Sequence, residues 1–318
     1  MGTVDLLRET LTSPMVLAFV LGVVATAAGS DLRLPEVVTS ALSSYLLLAI
    51  GLKGGVALSA ADPGELVAPA AATLGLGVLT PCVAFLVARR LLSLGPVDAG
   101  ALAAHYGSVS AVTFAAAVSV LEQGGIPVEA YAPALLALLE VPGIVVGLAL
   151  AAGAVGSARR AAVKEALLGR SVLLLAGGLV IGAVAGADGA APVDPLFRDL
   201  FLGALTLFLL DLGVTAARRA AGLRSAGFGL LAFGTAVPLV NGTAGVLLGT
   251  AAGLSVGGAA LLGVMGASAS YIAAPAAVRI ALPAANPALY LTASLGITFP
   301  LNLVFGIPLF TALAHAVA

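Results

Sequence analysis

The chain has 318 residues, of which 61% are hydrophobic and only 9% charged, with a formal net charge of −1. Soluble globular domains carry about 25% charged residues, so an all-α integral membrane protein is expected, with the lipid bilayer as its first partner. The near-zero charge excludes nucleic acid as a partner. The single cysteine, Cys82, excludes a disulfide framework, and no Cys/His cluster has the spacing of a transition-metal site.

In chain order, residues 15–28 have the apolar core of a signal peptide, with Ala25-Thr26-Ala27 as a weak cleavage site. The positive charge that should precede it is missing, because Asp5 and Glu9 offset Arg8. A retained first helix is therefore expected. A crossing helix needs about 20 apolar residues. Apolar stretches cut by charges, Gly and Pro predict ten transmembrane helices, at 13–30, 36–58, 66–91, 98–122, 130–156, 170–187, 197–217, 225–252, 256–279 and 287–316. A polar stretch from Ser157 to Arg170 divides them five and five. The expected organisation is a first repeat at 1–157, a cytoplasmic linker at 158–169 and a second repeat at 170–318.

The halves resemble each other at a nearly constant offset. Gly22 matches Gly182, Leu46–Gly51 matches Phe208–Gly213, and Pro81 matches Pro238. Ser108 and Ser110 match Ser268 and Ser270, and Pro142 matches Pro300. An odd number of helices per half turns the second half upside down, which predicts a five-plus-five inverted repeat of the kind found in secondary transporters. With ten spans, eleven of the fourteen Lys and Arg residues fall on one side, and Arg8, Lys53 and Arg198 fall on the other. Positive loops stay in the cytoplasm. Both termini are therefore expected outside a multi-pass protein of the plasma (inner) membrane.

Two segments carry the chemistry. Tyr106-Gly107-Ser108-Val109-Ser110-Ala111-Val112-Thr113 lies in the fourth expected helix, and Gly266-Ala267-Ser268-Ala269-Ser270-Tyr271-Ile272-Ala273 in the ninth. Ser108 is about ten residues into its helix and Ser268 about twelve into the inverted one, roughly 15 and 18 Å deep. Both therefore lie near the midplane of a core about 30 Å thick. Small hydroxyl residues there predict broken helices that cross at the midplane with their downstream N-termini facing. Unpaired N–H groups and the positive dipole end favour an anion. Gly107, Ser108, Val109, Ser110, Gly266, Ala267, Ser268, Ala269 and Ser270 are the candidate substrate-binding residues.

Glu140, two residues before Pro142, stands alone in an apolar helix. A carboxylate at that depth costs about 2.5–3.5 kcal/mol or more unless it faces protein or water. It is a candidate sodium ligand with Ser110, Thr113, Asn241, Thr243 and Ser270, whose oxygens suit a hard cation; interhelical hydrogen bonding is the alternative for Asn241 and Thr243. Asp211 is expected to pair with Arg218 on the same helix face. The Gly266-x-Ser268 pattern invites a serine hydrolase, but His315 lies roughly 18 Å away in depth. A general base must be within hydrogen-bond reach, and His105 borders the other Ser motif, so no enzyme is expected.

These segments resemble the signature of the SbtA-type sodium-dependent bicarbonate transporters. So do Ala49-Ile50-Gly51-Leu52-Lys53-Gly54-Gly55, Leu139-Glu140-Val141-Pro142-Gly143 and Leu209-Leu210-Asp211-Leu212-Gly213. The resemblance spans essentially the whole chain. It implies bicarbonate uptake with sodium as the coupling ion, an elevator movement of one bundle against a scaffold, a homotrimer and a PII-like cytoplasmic regulator. The residues agree on the class of mechanism, since a small singly charged anion suits two facing helix N-termini. The rivals are the same fold carrying a monocarboxylate or other small anion, a cation/proton antiporter, and a membrane sensor without flux.

Overall fold

The computed structural model describes residues 3–151, 157–220 and 223–318. Every regular element among them is helical. In chain order these are α1 (Thr3–Thr12), α2 (Pro14–Ala27), α3 (Glu36–Ala60), α4 (Pro63–Leu91), α5 (Pro96–Gly107), α6 (Ala111–Gln123), α7 (Ala132–Glu140) and α8 (Pro142–Leu150). After α9 (Ser157–Leu168) come α10 (Arg170–Ala190), α11 (Phe201–Ala220), α12 (Leu223–Ala251), α13 (Val256–Ala267) and α14 (Ala273–Ala281). The chain closes with α15 (Pro287–Leu291), α16 (Phe299–Leu301) and α17 (Ile307–Val317), joined through wider turns at Thr292–Thr298 and Asn302–Gly306.

Local sequence sets several of these limits. Ser13 caps α2 by accepting from the Val16 N–H, with Pro14 in the first turn. Asp62 does the same for α4 through the Gly64 N–H, and Pro63 follows it. Such a side chain satisfies one of the orphan donors of a helix start, and proline lacks the donor altogether. Pro142 separates α7 from α8, because it can offer no N–H to the preceding turn.

Among the described residues, eight helical segments are long and apolar enough to cross a membrane, which makes this an all-helical membrane protein. Two of the ten expected spans differ: 13–30 and 256–279 are represented by the shorter apolar helices α2 and α13. The C-terminal end of the expected span 130–156 and the side chains of Arg159 and Arg224 lie outside the described residues. The polar stretch between the expected halves is itself helical, and α9 buries Ala162 and Ala166 where it packs on α14.

Helices α2 and α11 pair, as do α3 and α10. Each pair meets through glycines, so that backbones touch. A Cβ on Gly22 would overlap the Leu210 carbonyl, and one on Gly213 the Phe19 carbonyl. In the second pair, Gly182 meets the Leu52 carbonyl and Gly55 the Leu179 carbonyl in the same manner. Gly51 meets the Leu175 carbonyl and Gly178 in the same manner, so Gly51 and Gly55, one helical turn apart on α3, both make the contact that Gly213 makes in the first pair. A four-residue shift leaves the same face at the contact, since a turn is 3.6 residues.

The remaining long helices surround α5, α6 and α13. Buried residues make up 94% of the most apolar window of Pro96–Gln123, against 17% for Arg170–Val193. The Ser-x-Ser segments thus sit at the centre of the molecule.

Candidate binding site at the crossing segments

Helix α5 stops at Gly107, Ser108 and Ser110 are extended, and α6 starts at Ala111. Helix α13 stops at Ala267, Ser268 is extended, and α14 starts at Ala273. The two stops are 160 residues apart and touch directly. The Ser110 N–H donates to Ser268 Oγ at 3.1 Å, and the Ser270 N–H donates to the His105 carbonyl at 2.8 Å. Ser110 Oγ caps α6 by accepting from the Thr113 N–H at 3.1 Å, and Ser270 Oγ, two residues before the N-cap Ile272, accepts from the Ala274 N–H of α14 at 3.2 Å. Two helix N-termini, each with orphan donors and a positive dipole end, therefore flank one point.

The upstream ends are held as closely. Ser108 Oγ donates to the Glu140 carbonyl at 2.9 Å, and Ser268 Oγ donates to the Met265 carbonyl at 2.8 Å. Gly107 packs on Gly143 with no room for a Cβ on either residue, which brings the end of α5 against the start of α8. Asn302 Nδ2 donates to the Ala267 carbonyl at 2.6 Å. Gly266 lies against the Asn241 carbonyl, and Ala269 is buried in the hydrophobic core.

A cavity of about 10 Å³ lies between the motifs, lined by Val109, Ser110, Glu140, Ser171, Ser270 and Tyr271 among others. That is room for about one water. Glu140 is only 4% exposed, and its Oε2 has no hydrogen-bond partner. Two larger cavities lie among the neighbouring helices. One of about 290 Å³ is lined by Lys53, Phe114, Ser119 and Phe201 among others. The other, of about 320 Å³, is lined by Thr39, Arg170, Asp211 and Leu295, and it shares Tyr271 and Ile272 with the small cavity.

Val109, Ser110, Glu140 and Ser270 share the small cavity, and Ser108 and Ser268 join it through hydrogen bonds to Glu140 and Ser110. Thr113 is buried one turn into α6, behind its cap. Asn241 is buried with neither amide atom bonded, and it lies outside the lining of that cavity. Thr243 is not brought there: it is exposed, and its hydroxyl donates to the Leu239 carbonyl. Asp211 does not form the expected pair with Arg218; its carboxylate accepts from the Leu34 N–H and the Thr39 hydroxyl, 177 and 172 residues away in sequence.

Tyr271 and Ser171 line the cavity without having been marked as site residues. The Ser110 hydroxyl donates to the Tyr271 hydroxyl at 3.0 Å. Its adjacency to Ser270 is a signal that could have found Tyr271, whereas Ser171, in the first turn of α10, carries none.

No curated protein matches the chain. The model of the Na+-dependent bicarbonate transporter superfamily matches residues 14–315. With helices fit for a membrane and two matched Ser segments joined at their centre, the chain belongs to the Na+-dependent bicarbonate transporter superfamily.

Proposed function

We propose that the chain takes bicarbonate up across the plasma membrane together with sodium, by elevator-type alternating access. The observation that carries this proposal is the direct bonding of the two Ser-x-Ser segments, Ser110 N–H to Ser268 Oγ and Ser270 N–H to the His105 carbonyl. It brings two helix N-termini to one buried point, and such ends bind anions. Gly107, Ser108, Val109 and Ser110 with Gly266, Ala267, Ser268, Ala269 and Ser270 hold the bicarbonate. Ser110, Thr113, Glu140 and Ser270 supply oxygens to sodium, which offsets the anion's charge; Asn241 is a more distant member. No cofactor takes part.

The arrangement is ten spans in a five-plus-five inverted repeat, with both termini outside and the segments α5–α6 and α13–α14 broken at the midplane. The alike glycine contacts of α2 with α11 and α3 with α10 support it. The small cavity is too tight for bicarbonate, so loading requires the tips of α6 and α14 to part from α3 and α10. Sodium completes the anion site, and only the loaded bundle moves. A homotrimer and a PII-like regulator rest on the family resemblance alone.

Uptake of labelled bicarbonate with and without sodium tests the proposal. Uptake is expected only with sodium. Sodium-independent uptake, or monocarboxylate flux in its place, would select a rival, and binding without counterflow in proteoliposomes would select a sensor. The double substitution Ser108→Ala, Ser268→Ala is expected to abolish uptake while leaving the membrane content intact. Unchanged uptake in that variant would falsify the site assignment.

A further inference from the structure

The cavity of about 290 Å³ lies between α3, α6, α7 and α11, on the side assigned above to the exterior. Its charged residues are Lys53, Glu122, Glu129 and Arg198. Arg198 pairs with Asp194 at 3.7 Å, and Glu129 Oε1 accepts from the Ser255 N–H at 2.6 Å while its Oε2 is buried without a hydrogen-bond partner. Glu122 is exposed at the end of α6. Lys53 is half-buried, and its Nζ stands 4.0 Å from the centroid of the Phe201 ring. Among the described residues it has no ion pair. An ammonium in a partly desolvated, largely apolar hollow interacts strongly with any anion that enters.

The position of Lys53 is informative in a second way. Gly182 meets the Leu52 carbonyl, Gly55 Cα and the Val56 amide; Gly22 meets the Leu210 carbonyl, Gly213 Cα and the Val214 amide. Lys53 precedes Gly55 by two residues, and Asp211 precedes Gly213 by two. The same position in two alike contacts therefore carries a cation at one large cavity and a carboxylate at the other. Leu34 and Thr39 occupy Asp211, whereas the Lys53 ammonium is left for a mobile ion.

We propose that Lys53 is a docking residue for small singly charged anions in the outer cavity, which hold there before they reach the Ser-x-Ser site. The direction of travel and the identity of the anion as bicarbonate rest on the function proposed above; the docking does not.

The chain has two lysines, Lys53 and Lys164, so Lys164 serves as an internal control. Purified wild-type protein is treated with methyl acetimidate at constant ionic strength, and amidination is followed by mass spectrometry. Bicarbonate, and separately formate, is expected to slow the reaction of Lys53 several-fold and leave Lys164 unchanged. Equal rates with and without anion, equal slowing of both lysines, or a Lys53 that never reacts would each overturn the docking. In proteoliposomes, Lys53→Met is expected to raise the KM for external bicarbonate several-fold with the maximal rate within twofold, and Lys53→Arg to restore it. A Lys53→Met variant with unchanged KM would also overturn it. If wild-type protein carries no bicarbonate, the function fails, while protection of Lys53 by formate still decides the docking.

Discussion

Ser110 does three things at once. Its N–H reaches Ser268, its hydroxyl oxygen caps α6 through Thr113, and its hydroxyl proton goes to Tyr271. Ser110→Ala removes the last two and leaves an orphan N–H at the start of α6. Loss of an N-cap costs about 0.5–2 kcal/mol, so a lower unfolding midpoint in detergent is expected together with weakened bicarbonate uptake. Glu140 gives a separate test. Its backbone carbonyl holds Ser108, while its Oε2 is unbonded and buried. Glu140→Gln keeps the shape and the backbone contact, so the KM for sodium is expected to rise while the protein stays folded. An unchanged sodium dependence would make Glu140 a structural residue. The Ser-x-Ser spelling was legible because polar residues are rare in an apolar chain. Which face of a helix they occupy was less so. Thr243 and Asn241 are two residues apart on α12, one exposed and the other buried. Where lipid and protein faces are equally apolar, no amphipathic pattern separates them.

At the level of elements, the glycine-mediated pairs bring helix backbones into direct contact. In the α2–α11 pair a Cβ on Gly213 would overlap the Phe19 carbonyl, and backbone cannot move aside as a flexible side chain can. Gly213→Ala is therefore expected to push α2 from α11, at about 1–3 kcal/mol for overpacking. The same cost is expected for Gly55→Ala, where the Leu179 carbonyl is in the way. Gly203 offers the control, because nothing lies within 4 Å of its Cβ position. Thermal unfolding in detergent reads all three, and a Gly203→Ala loss as large as the others would overturn the packing account. Sequence matching found these helices and set Gly51 against Gly213, and Gly51 meets the Leu175 carbonyl of α10 as Gly55 meets that of Leu179. What the spelling does not show is that α3 repeats the contact one turn further on, because that depends on the facing glycines Gly178 and Gly182 of α10.

For the whole molecule the decisive quantity is the parity of spans. Eight segments are long and apolar enough to cross, while α2 has 14 residues and α13 has 12. At 1.5 Å per residue these are roughly 21 and 18 Å long, short of a core of about 30 Å. Helix α13 has help: α14 adds 9 residues after the extended link, or roughly 14 Å more. For α2 to cross, the bilayer must thin locally, which costs fractions of a kcal/mol per Å, with its packing on α11 as support. If α13 crosses, five spans separate the C-terminus from α9, and the two lie on opposite sides. If it does not, four spans separate them, and the two share a side. Lys164 on α9 and His315 on α17 are both exposed, so each can be replaced without disturbing the core. In a Cys82→Ala background, an impermeant maleimide applied to intact cells is expected to label His315→Cys and spare Lys164→Cys until the membrane is opened. Labelling of both from outside, or of neither, would leave α13 lying within the protein without crossing, and would remove the inversion that makes the two Ser segments face each other.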